Sequence, residues 1–181
     1  VRSILEKIGL TEAALQCGPH LPYDAEAAAA LLRGGGSASA VYNNCSGKHA
    51  GILALSLALG ADVGGYLEPR HPAQRAILGL CARASGEEVE RLPLAIDGCG
   101  IPVYATSLRH AAASFALLAS PDGAAERDAN ALRAVRAAMM AHPLYVAGTG
   151  EFDSALMAAG AQQIVVKSGA EGVCGVALLR L

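Results

Sequence analysis

Aromatic side chains are scarce in this sequence, with seven in 181 residues and no tryptophan. Basic excess is missing too: fourteen Lys and Arg against sixteen Asp and Glu leave a net charge of −2 and a pI near 6.2. Proteins grip nucleic acid with clustered cations and stacking rings, so a nucleic-acid partner is not supported. Long apolar runs are also lacking, although mean hydropathy is high at +0.37. The longest weakly polar stretch, Ala50 to Ala61, is interrupted by Ser56 and stopped by Asp62. A membrane span needs ~20 apolar residues, so a buried helix and no membrane association are expected. The opening residues VRSILEKIGL carry Glu6 and Lys7 where a signal peptide would be apolar, and Val1 stands in place of an initiator methionine. A cytoplasmic chain that starts mid-protein is the expectation. Five cysteines, at 17, 45, 81, 99 and 174, are odd in number and irregular in spacing, unlike a secreted disulfide framework. At this length folding buries enough surface that no metal or disulfide is needed merely to hold the fold, so any metal requires another reason.

No repeat and no shift of composition divides the chain, and residues 1–181 read as a single domain. The pattern predicts a first helix from Val1 to about Gln16, broken at Gly9, with Ile4, Leu5, Ile8 and Leu15 inward. Asp24 is placed to cap a second helix ending at Gly34 in the left-handed conformation. A third, apolar nearly all round, follows the polar run VYNNCSGKH and ends at Gly60. Further helices are expected over Pro72 to Arg83, Ser107 to Leu118, Asp122 past Met140, and from Thr149 or Asp153 through Met157. Leu92 to Ile96 reads as a short strand, and Gln163 to Val166 as a strand with its hairpin partner over Val173 to Leu181. Ending inside a strand leaves apolar side chains uncovered, from which self-association is expected.

Chemistry concentrates in three glycine-bearing segments. In Asn43-Asn44-Cys45-Ser46-Gly47-Lys48-His49 a thiol stands just before a helix start, where the dipole and nearby cations favour thiolate; Asn44 or Ser46 is the expected N-cap. In Asp97-Gly98-Cys99-Gly100 a strand delivers a carboxylate and a second thiol into a loop. The two thiols are 54 residues apart, and they could share a zinc, form a redox disulfide or never meet. The third segment, Val166-Lys167-Ser168-Gly169, is similar to the K-T-G strand of penicillin-recognising serine hydrolases, with serine in place of threonine. Only three lysines occur, and Lys48 and Lys167 fall in two of these segments. Lysine can lose its proton once desolvated, whereas arginine cannot.

The strings NNCSGKHAG, LAIDGCGIPVYA, HPLYVAGTG and VVKSGAEG, in that order, with QCGPH near the start, resemble the rhizobial-type L-asparaginases, or asparaginase II. The resemblance runs through essentially the whole chain, which covers the central portion of a family nearly twice as long. It implies an α/β (α+β) fold like that of glutaminases and serine β-lactamases, helices around an antiparallel sheet, here truncated at both ends. It implies hydrolysis of L-asparagine to L-aspartate and ammonia, and a homodimer. Carried over residue by residue, it makes Cys45, Lys48 and Cys99 a zinc site, Lys167 and Asp97 catalytic, and His49 and Ser46 substrate-binding. The zinc is not expected to be the direct catalyst.

The family's nucleophilic serine belongs to an S-x-x-K motif, and none occurs in these 181 residues. The chain alone is therefore expected to be nearly inactive. Two rival readings follow from the residues. One is a cysteine-dependent amidase with Cys45 as nucleophile, His49 or His110 as base and Asp97 as orienter. The other is a non-catalytic remnant that binds metal or an amino acid.

Overall fold

The structure, a computed structural model, describes residues 1–179. The chain divides into two compact units, the first Val1–Leu80 with Val89–Ala105, the second Cys81–Glu88 with the chain from Thr106 onward. Helices and small antiparallel sheets are mixed, with eight α-helices and two hairpins among the described residues. No helix among them is long and apolar enough to cross a membrane.

The first unit opens with α1 (Arg2–Lys7), after which Gly9, at φ +71°, breaks the helix as its lack of a side chain allows. Only a short 3₁₀ turn, Glu12–Ala14, follows where the helix was expected to continue. Leu5 and Leu15 are buried as the spacing suggested, whereas Ile4 is exposed. Helix α2 (Ala25–Arg33) is capped by Asp24, whose carboxylate accepts from the Ala27 N–H at 2.7 Å. The left-handed residue at its end is Gly35, at φ +74°, and not Gly34, at φ −79°. The helix ends at Arg33 as expected, with Gly34 as its C-cap, and its last carbonyls are closed off by the Gly35 and Gly36 N–H groups.

Helix α3 (Ser46–Ala58) buries Ser46, His49, Ala50, Ile52, Leu53 and Ser56, one face at helical spacing. Its apolar character all round does not mean burial all round, since Leu57 and Leu59 are exposed. The buried face packs with Leu5, Leu15, Tyr66, Ala73, Cys99 and Ile101. Burial of each large aliphatic side chain there contributes about 1.5–3 kcal/mol. Helix α4 (Pro72–Ser85) starts behind His71, whose Nδ1 accepts from the Ala73 N–H while Nε2–H donates to the Asp62 carbonyl. The hairpin of β1 (Leu94–Ile96) and β2 (Pro102–Tyr104) pairs Ile96 with Pro102. Its tip, Asp97 to Ile101, holds Gly100 at φ +86° and is closed by the Gly100 N–H to Asp97 carbonyl bond.

In the second unit, α5 (Leu108–Ala119) is capped by Ser107, α6 (Glu126–Ala141) follows a 3₁₀ turn, and α7 (Pro143–Val146) begins at the expected break after His142. Helix α8 (Phe152–Ala159) lies against β3 (Ile164–Ser168), which pairs in register with β4 (Cys174–Leu178), Lys167 opposite Gly175. Helix α5 packs on β4 so tightly that a Cβ at Gly175 would sit 1.9 Å from the Phe115 ring. The expected strand partner reached to Leu181; its last two residues lie outside the described ones.

Asp153 is buried at the start of α8, and both carboxylate oxygens accept from Ser168, one from its N–H and one from its hydroxyl. The strand end carrying Lys167 is thereby tied to a helix. Asp153→Ala would leave two donors without partners, and an unpartnered buried donor costs ~1–3 kcal/mol. The substitution should lower unfolding free energy in urea by about 2–3 kcal/mol, whereas a value unchanged within error would show the two bonds to be idle.

Candidate functional site

The polar run before α3 is shaped by Asn43. Its Nδ2–H donates to the Cys17 carbonyl at 2.7 Å, and its Oδ1 accepts from the Cys45 N–H at 2.8 Å. That short-range turn, a habit of asparagine two residues ahead of a backbone N–H, ties the QCGPH segment to Cys45. Cys45 itself is the N-cap of α3, in place of Asn44 or Ser46, and no side chain caps the helix. Ser46 is buried with its hydroxyl donating to the Val41 carbonyl at 3.0 Å.

The tip of the β1–β2 hairpin brings Asp97 and Cys99 to this point. One donor atom each from Cys45, Asp97 and Cys99 lies within 4.8 Å of the others. Lys48 donates to Asp97 Oδ2 at 3.0 Å, and the Cys99 thiol lies 3.5 Å from the same oxygen. The structure therefore brings together Cys45, Lys48, Asp97 and Cys99, with His49 one residue beyond Lys48 and fully buried. Lys167 stands on β3 in the second unit, exposed, with its ammonium donating to the Ser168 carbonyl. His110, the other candidate base, also belongs to the second unit, where its Nδ1 bonds the Ser85 carbonyl at 2.7 Å.

Charge in the cluster is set by proximity. The Lys48 hydrogen bond holds the Asp97 carboxyl below its ordinary range. Burial works to lower the Lys48 ammonium, but Asp97 and the neighbouring Cys45 and Cys99 sulfurs outweigh it, and the group is raised. Burial pushes the Cys45 thiol up, Lys48 offsets this only in part, and Cys99 and Asp97 add to it. The thiolate expected from the helix dipole is thus disfavoured, because desolvation outweighs one lysine and a helix start. Burial, helped by Lys48, lowers His49 to about 4, so its ring is neutral at neutral pH.

These residues fit a zinc ion. Sulfur at ~2.3 Å from a tetrahedral centre places two sulfurs ~3.8 Å apart, a small adjustment from the observed cluster, and two thiols with a nitrogen or carboxylate donor suit zinc. Ligation by Lys48 requires its proton to leave.

Sequence reasoning passed over Tyr66. Its side chain is fully buried, its hydroxyl accepts from the Gln16 N–H at 2.8 Å and lies 2.6 Å from His49 Nδ1. Nothing in the surrounding GGYLEPR string marks it, because its partners lie 17 and 50 residues away. Asn43, by contrast, could have been read from its spacing to Cys45.

Among curated proteins no significant match is found. The family model described as L-asparaginase II, however, matches residues 1–180, nearly the whole chain, including both segments that build the cluster. A match of that extent, over a chain whose two thiol-bearing turns converge, is decisive: the chain belongs to the L-asparaginase II family, amidohydrolases acting on a small-molecule substrate.

Proposed function

We propose that this polypeptide is the metal-holding and lysine-bearing part of an enzyme that hydrolyses L-asparagine to L-aspartate and ammonia by Ser–Lys acyl transfer. The observation that carries the reading is the meeting of Cys45, Asp97 and Cys99 beside Lys48 in a chain of this family. The fold we assign is that of the glutaminases and serine β-lactamases, a reading supported by the packing of α5 on β4 and of α8 on β3. Cys45, Lys48 and Cys99 would hold the zinc, which when bound supplies a dication that keeps the thiols deprotonated and joins the start of α3 to the β1–β2 hairpin.

The roles of this chain's own residues then follow from their chemistry. Asp97 accepts from Lys48 and so sets where that amine rests. His49 and Ser46, buried on the first turn of α3, are the groups we assign to the substrate side. Lys167, at the end of β3, is one of two lysines that share the proton taken from a serine hydroxyl; the Asp153–Ser168 bonds hold its strand in place. A cytoplasmic homodimer is the expected setting. The cysteine-amidase reading is weaker, because Cys45 has a raised thiol pKa and His49 already uses Nδ1 on Tyr66.

Elemental analysis of the purified chain tests the assignment. About one zinc per chain is the expected result, whereas no metal, with Cys45 and Cys99 both freely alkylated in the folded protein, would reject it.

A further inference from the structure

Three side chains behind the metal cluster form one buried line. The Gln16 N–H donates to the Tyr66 hydroxyl, and that hydroxyl meets His49 Nδ1 at 2.6 Å with the rings edge to face. Gln74, also fully buried, fixes the other end of Tyr66 by donating to its backbone carbonyl at 2.7 Å. His49 Nε2 is buried and has no hydrogen-bond partner among the described residues.

Counting protons decides the direction of the His49–Tyr66 bond. Tyrosine carries one proton on an oxygen that already accepts from Gln16, so that proton needs an acceptor. If it goes to Nδ1, both the tyrosine hydroxyl and Nδ1 are matched, and Nε2–H alone of the imidazole–phenol pair is left over. If Nδ1 holds the proton instead, the tyrosine proton and the bare Nε2 are both left unmatched in a buried place, which costs more. We infer that Tyr66 is a positioning residue: it holds His49 in the Nε2-protonated tautomer, so that the ring offers a hydrogen-bond donor and no acceptor beside Lys48 and Asp97. An imidazole held this way selects an acceptor, such as the oxygen of a carboxylate or an amide carbonyl, and offers nothing to an ammonium. That His49 serves such an oxygen of the substrate rests on the function proposed above; the tautomer does not.

Nitrogen-15 NMR of the His49 imidazole in the 181-residue chain reads the tautomer directly and needs neither metal nor turnover. Nδ1 is expected as the unprotonated nitrogen and Nε2 as the protonated one, in the presence or absence of zinc. In Tyr66→Phe the ratio of the two tautomers should shift about five- to tenfold toward Nδ1–H, the worth of one hydrogen bond, while backbone amide resonances of α3 keep their pattern. A protonated Nδ1 in the unsubstituted chain overturns the inference whether or not the variant folds. An unchanged tautomer ratio in a folded Tyr66→Phe chain overturns it equally. A chain that shows the expected tautomer but fails to bind added zinc would reject the metal assignment and leave the role of Tyr66 standing.

Discussion

Replacing Cys99 by serine should abolish zinc retention. Zinc bound by four ligands in small proteins is worth an apparent ~10–16 kcal/mol, so each ligand accounts for ~3–4 kcal/mol, and losing one sulfur should weaken binding by about 10²–10³-fold. Serine keeps the size of the side chain but is a poor donor to zinc at neutral pH. The effect should be equally large for Cys45→Ser, since both sulfurs would ligate the one proposed ion. Cys81→Ser is the control, because Cys81 is exposed and lies in the second unit, and it should retain zinc fully. Binding to the folded state alone also stabilises it, by about 2.7 kcal/mol at a hundredfold excess over the dissociation constant. For a chain of this size that is a rise in Tm of roughly 5–10 °C, present in the parent chain, absent in Cys99→Ser and reversed by chelator. Zinc content unchanged in a folded Cys99→Ser chain would show that the distant thiols do not share an ion.

Assayed alone with L-asparagine, the 181-residue chain should release no ammonia above the buffer rate. Members of a serine-based catalytic unit act together, and loss of the nucleophile removes on the order of 10⁶-fold in turnover, leaving what binding and oxyanion stabilisation supply. The sequence contains C-S-G-K at Cys45 to Lys48 but no serine three residues before a lysine. Cys45 belongs to the Cys45–Asp97–Cys99 group and has its thiol pKa pushed up by burial, so it is not expected to take the part of the serine in the proposed mechanism. A family member that carries S-x-x-K serves as the positive control. Turnover near that control would refute the Ser–Lys assignment, and loss of that turnover on alkylation of Cys45 would transfer the chemistry to the thiol.

Much of the local structure was legible because its causes lie within a few residues. Asp24 and Ser107 cap helices through bonds to N–H groups three residues on, Gly9 breaks a helix by its own left-handed backbone, and the β-branched run at Ile164 to Val166 forms a strand. Misreadings arose where two neighbours compete on equal local terms. Gly34 and Gly35 are chemically identical, and only the last turn of α2 decides which takes the positive φ. The helix dipole does favour thiolate at Cys45, but the burial that outweighs it depends on groups brought from elsewhere in the chain.

Local signals along the chain suffice for most helices and turns, for the two thiol-bearing, glycine-rich segments and, through the order of those motifs, for the family. Those signals survive in one dimension because capping, backbone freedom and side-chain period act over three or four residues. Only the tertiary structure decided that Cys45 and Cys99 meet, that Lys48 rests on Asp97, and that Tyr66 stands behind His49. Contacts spanning 17 to 54 residues depend on burying the α3 face against the rest of the first unit, and no local preference records which distant side chain fills the space that burial creates.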